Sequence, residues 1–351
     1  MKVTRIAPGR RAPRSLVGAV LARDLAVAGE RWAKGRRLSD TDLDRIGGAP
    51  SGSVVPDGPV TVLVLERGDI HEDDAALRLA RAIGGRQLRI RGPVQSRVDL
   101  VAERDGVLHV RSAILERING LDPIEAFTAF DGSIVAAGDL VASVKVAPHV
   151  VDEAVVERAE RIAAAGRPVV EVAPYVAQRV GVIVKESIHA PARERFERSV
   201  RAKVESLGST IASIAYVADD EDAVEEAFRA LVKGPDAVDL VLTAGGGSTD
   251  PEDAFFVAIE RLRGRIVRRG VPAHPGSMLW LGKVGRTGIL GLPTCGAYSK
   301  ATAADLLLPR LLSGEPVSPV TVAKLGHGGI LTRDQRFRFP PYARDLDAPE
   351  G

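Results

Sequence analysis

From residue 180 to residue 312 the chain repeats one unit: a short apolar run, a loop, an amphipathic stretch, then another apolar run. Residues 180–184 and 238–243 are apolar enough to be buried strands, and 211–217 reads as a third. Between them, Phe196, Val200, Val204 and Leu207 fall on one face of a helix over 192–207, which Gly208 ends. Residues 220–232 form a second helix, with acids in the first turn where the helix dipole favours them. A helix over 251–262, strands near 278–281 and 288–290, and a helix over 299–312 complete the series. Strands alternating with helices require crossover connections, so the predicted fold class is α/β with a doubly wound, mainly parallel sheet. In such sheets ligands sit at the C-terminal ends of the strands.

The first half has another texture. Residues 15–46 suggest two short helices around Leu16, Val20 and Leu21 and around Leu43 and Ile46. The glycine- and serine-rich stretch 47–53 is a linker signal, 60–65 a buried strand and 72–83 an amphipathic helix. From 88 to 148 short alternating runs are separated by Asp105-Gly106, Asp131-Gly132 and Gly138-Asp139, and Asp-Gly pairs are hairpin signals. The organisation expected is an accessory segment over 1–55, a smaller mixed α/β and β-rich module over 56–175, the α/β domain over 176–316 and a tail over 317–351.

At 351 residues the chain is long for one domain, and 45% hydrophobic with 27% charged residues is a globular mixture. The 48 basic and 46 acidic residues nearly balance, giving no case for nucleic acid or an anionic membrane as partner. The single cysteine, Cys295, excludes an intramolecular disulfide and a cysteine zinc cage. The basic start over 1–14 lacks the apolar run of a secretory signal, and no stretch reaches the ~18 apolar residues of a membrane span. The cytoplasm is the expected compartment.

Two loops at expected strand ends carry candidate chemistry. In the first, Gly245, Gly246 and Gly247 would let a ligand approach the backbone, with Ser248 and Thr249 as hydroxyl donors. Asp250 suits an N-cap, Pro251 a first helical residue and Asp253 the first turn, so backbone N–H groups at that helix start could hold a phosphate. The same pattern suits an ordinary tight connection with two capping aspartates. The second loop, 291–300, offers Thr294, Gly296, Ser299 and Lys300. Buried, inert chemistry is the better expectation for Cys295, and His274 is either a ligand donor or an exposed turn residue.

Together these loops carry a resemblance. Val217-Ala-Asp-Asp220, the run 239–248, Pro251 to Asp253, Pro275-Gly276 and Gly291-Leu-Pro293 resemble, in that order, the molybdopterin-binding fold of the MoaB/Mog and MoeA type. The resemblance implies molybdopterin as bound ligand, held by Gly245 to Thr249 and by Thr294, Gly296 and Ser299. It implies Asp253 as the catalytic, metal-orienting acid, with Mg²⁺ as cofactor if the protein is an enzyme. The implied enzyme is a transferase, either a molybdopterin molybdenumtransferase or an adenylyltransferase. The alternative is a non-catalytic protein that binds the pterin phosphate and delivers it to a molybdenum enzyme. A homo-oligomer is compatible with either. Val184-Lys-Glu-Ser187 stands where the molybdenum-inserting branch has Thr-Gly-Asp-Glu, His274 and Ser277 where it has lysines around the Pro-Gly turn, and Thr294-Cys-Gly296 where it has Gly-Asn-Pro. Those departures remove charged groups that a phosphoanhydride reaction would use, and so favour binding over catalysis.

Overall fold

The computed structural model describes residues 1–7, 10–48, 59–185, 190–246, 249–292, 301–316 and 318–345. They form two compact units, one dominated by residues 1–172 and the other by residues 173–351.

In the first unit, the strand Lys2–Ile6 pairs antiparallel with Val60–Val64, whose other edge takes Val20–Leu21. Residues 15–21 are therefore not a helix. A single turn over Arg14–Leu16 leads into the strand Val20–Leu21, because Val20 and Leu21 are both buried when they pair with Leu63 and Val62. A long-range partner outweighs weak local helix propensity here. The helix expected around Leu43 and Ile46 does form, as Asp40–Gly48. Further on, Ile124–Thr128, Leu140–Val146, Arg97–Ala102 and Leu88–Val94 make a four-stranded antiparallel sheet in that spatial order. The helices Glu72–Ile83 and Glu153–Ala164 are joined by Arg78, which donates to Glu160 and Glu153. The hairpin expected at Asp105-Gly106 is displaced. Arg97–Ala102 instead pairs with Leu88–Val94 across Gln95 and Ser96, whose φ values of 49° and 64° suit a tight reversal.

The second unit carries the alternation read from the sequence. Its elements are β1 (Arg179–Val184), α1 (Ala190–Glu205), β2 (Thr210–Tyr216), α2 (Glu221–Val232), β3 (Leu240–Ala244), α3 (Ala254–Arg261), β4 (Arg265–Arg269), β5 (Trp280–Val284), β6 (Thr287–Gly291) and α4 (Ala303–Leu312). They build a six-stranded sheet in the order β2-β1-β3-β6-β5-β4. The β2, β1, β3 and β6 strands are parallel; β5 and β4 are added antiparallel. The edge strand β4 went unread because its sequence, Arg-Ile-Val-Arg-Arg, shows charge where alternation was sought.

The parallel strands are apolar throughout because both faces are covered. Val180, Val182 and Val184 face a core shared with Phe196, Val200 and Val204 of α1 and with Leu307 and Leu308 of α4. Ile183, Val241 and Ile289 face the opposite core, with Val224 and Phe228 of α2 and Phe255 and Ile259 of α3. Residues 319–345 also contribute: Val322, Leu325, Phe339 and Ala343 lie in the first of these cores. No helix among the described residues is long and apolar enough to cross a membrane.

Candidate functional site

Because β1, β2, β3 and β6 are parallel, the loops that follow them leave the sheet on one side. Backbone bonds carry the pairing one residue further: Lys185 N–H donates to Ala244 O (3.1 Å), Val217 N–H to Val184 O (2.9 Å) and Leu292 N–H to Thr243 O (2.8 Å). The two sequence-singled loops, after β3 and after β6, thus start from neighbouring strands.

Asp253 occupies a different position from the one expected. The helix starts at Ala254, and Asp253 is its N-cap, with Oδ1 accepting from Phe255 N–H at 2.9 Å. The Asp253 carbonyl accepts from Phe256 N–H (2.8 Å) and Val257 N–H (3.2 Å). Pro251 lies in the preceding turn, and Asp250 takes Glu252 N–H at 2.9 Å instead of capping the helix. The expectation of free N–H groups at this helix start is therefore corrected: those of Phe255 and Phe256 already bind Asp253, so the helix end presents less to a phosphate.

The remaining oxygen of Asp253 is also engaged. The Lys185 ammonium meets Asp253 Oδ2 at 3.0 Å and Asp219 Oδ1 at 2.8 Å. Lys185 is 7% exposed and Asp253 8%, so this is a charge pair largely out of water. Burial opposes the ammonium, but the bonds to Asp219 and Asp253 outweigh it and hold the Lys185 pKa above the ordinary lysine value. Its Nζ also lies 5.3 Å from the Phe255 ring centroid.

Gly245 has φ +94°, a conformation that disfavours a side chain. A Cβ on Gly246 would stand 2.6 Å from the Phe255 ring and 3.1 Å from Asp253 Oδ2. The need for glycine at 246 therefore has a packing cause, independent of any ligand. Thr249 is exposed, in position to meet solvent or ligand. Gly247, Ser248, Thr294, Cys295, Gly296 and Ser299 lie outside the described residues. His274 is exposed, and its backbone pairs with Gly329 and Leu331.

Mg²⁺ at Asp253 does not fit this arrangement. One carboxylate oxygen is committed to the helix cap and the other to an ammonium. Among the described residues no cluster of three or more His, Cys, Asp or Glu side chains is disposed to hold a metal. In the sequence Lys185 stands out only as a departure from the family motif, and Asp219 only within the run Val217 to Asp220. A lysine directly after a buried strand of a parallel sheet was the available signal, since that position faces the ligand side.

In a mainly parallel α/β unit, small-molecule sites lie at the loops beyond the strand ends. Residues 182–313 match the family model described as "Probable molybdopterin binding domain". Solved structures similar to the chain include the molybdopterin biosynthesis MoeA protein from Pyrococcus horikosii, at 13% identity over 70% of this chain and 81% of that one, with a TM-score of 0.30. The molybdopterin biosynthesis enzyme MoaB from Thermus thermophilus is 21% identical over 40% of this chain and 98% of that one, with a TM-score of 0.29. No curated protein matches the chain.

Proposed function

We propose that the chain is a molybdopterin-binding protein of molybdenum cofactor biosynthesis, with the pterin phosphate received by the strand-end loop over 245–249. The observation that carries this reading is the family match over 182–313, which spans the loop and the strands that position it. Gly245 turns the backbone away from β3, and Thr249 brings a hydroxyl to the surface. Asp253 and Lys185 then act as the support beneath the loop, orienting it through the start of α3.

Within this reading, a carrier that binds the cofactor and passes it to a molybdenum enzyme is favoured over a transferase. One oxygen of Asp253 serves the helix cap and the other faces the Lys185 ammonium, a structural use of the carboxylate that favours the carrier. The test is to purify the protein from a molybdenum-replete host and identify the co-purified ligand by mass spectrometry. Its complex with molybdopterin is then offered ATP, and its complex with adenylated molybdopterin is offered molybdate. A bound pterin with no release of pyrophosphate or AMP is expected. Absence of any pterin overturns the binding reading, and turnover replaces the carrier by the transferase.

A further inference from the structure

The geometry points to Lys185 as a built-in counter-cation: its ammonium occupies the place between Asp219 and Asp253 that a divalent ion would take, making ligand binding at the glycine loop independent of metal. The metal independence rests on the molybdopterin-binding reading above, whereas the substitution of ion by ammonium stands on the residues alone.

The two carboxylates belong to different loops, one after β2 and one before α3, and only the sheet brings them together. Each directs one oxygen at the same nitrogen, at 2.8 and 3.0 Å. These are charge-assisted hydrogen-bond lengths, well beyond the ~2.1 Å of an oxygen bound to Mg²⁺. The centre is therefore sized for an ammonium. Asp253 is nearly enclosed, and an enclosed carboxylate needs a permanent cation close by. The pair also lies against the loop, since Asp253 Oδ2 is within 3.1 Å of where a Gly246 Cβ would stand. Removing the ammonium would leave two like charges beside a loop proposed to receive a phosphate, a repulsive arrangement. A divalent ion would solve the same problem, but a lysine tethered to β1 solves it without dependence on metal supply.

The prediction is tested first with Mn²⁺ as probe, read by the electron paramagnetic resonance signal of the free ion. Wild-type protein is expected to leave Mn²⁺ free, and Lys185→Met to take up about one ion per chain through the vacated carboxylates. Adding Asp253→Asn to that variant should abolish the uptake. Lys185→Gln serves should the Met variant fail to fold, which circular dichroism decides. Saturable Mn²⁺ uptake by wild type that Asp253→Asn removes overturns the inference, as does a folded Lys185 variant that gains none. In the second measurement, wild-type affinity for molybdopterin is compared in EDTA and in excess Mg²⁺. Equal affinities are expected, and about a tenfold gain with Mg²⁺ overturns metal independence. No binding in either buffer defeats the molybdopterin reading, while the Mn²⁺ result still decides the ammonium's role.

Discussion

Gly246 shows how a residue singled out for ligand approach can be required by packing. Its missing Cβ makes room for the Phe255 ring, which is fully buried and has Phe228 edge-on at 6.0 Å and Trp280 at 6.1 Å. A ring so enclosed has little freedom to shift, so overpacking should be felt in stability before any effect on binding. Gly246→Ala is expected to lower the unfolding free energy by about 1–3 kcal/mol. Urea denaturation of the variant, alone and with Phe255→Leu, measures this: the smaller side chain should restore part of the loss. A silent Gly246→Ala would return the glycine to a ligand-facing role.

Among the elements, α1 and α4 are tied by a charge pair within the apolar core. Lys203 is 2% exposed and Asp305 0%, and the Lys203 ammonium bonds the Asp305 carboxylate. Asp305 has a second task, since its Oδ2 accepts from Thr302 N–H at 2.8 Å and closes a capping box at the start of α4. Lys203→Met removes the cation and leaves an enclosed carboxylate without a counter-charge. The expected cost is about 3–5 kcal/mol, measured by equilibrium unfolding. Replacing both partners, as Lys203→Met with Asp305→Leu, removes the orphan charge and should recover much of it, short of about 1 kcal/mol for the lost cap. If the single variant is as stable as wild type, the pair contributes nothing to joining the two helices.

At the scale of the molecule, the C-terminal segment belongs to a hydrophobic core. Phe339 is 3% exposed and shares its core with Val182 and Phe196. Phe339→Ala should therefore cost about 3–5 kcal/mol, as deletion of a well-packed aromatic ring does. Trp280, on β5 and in the core on the opposite face of the same sheet, reports unfolding of this unit by fluorescence when Trp32 is replaced by Phe. An unchanged Trp280 transition would mean that the segment adds nothing to the stability of this unit.

Residues 180–184, 211–217 and 238–243 were legible as strands, and the face made by Phe196, Val200 and Val204 as a helix, because periodicity is a local property carried by neighbouring residues. The order of the loops along the chain likewise sufficed to bring out the family resemblance. The helix start was misplaced by three residues because Asp250 and Asp253 are equally good caps in isolation. In the fold, Asp253 holds the cap while its other oxygen meets Lys185. The short strand Val20–Leu21 was missed for a related reason, its partners being Leu63 and Val62, far along the chain. Local order along the chain thus determined the alternating elements and the neighbourhood of the site. Only the tertiary structure decided that Lys185, Asp219 and Asp253 share one centre, because electrostatic energy depends on distance in space, which the parallel sheet sets by bringing three separate loops to one edge.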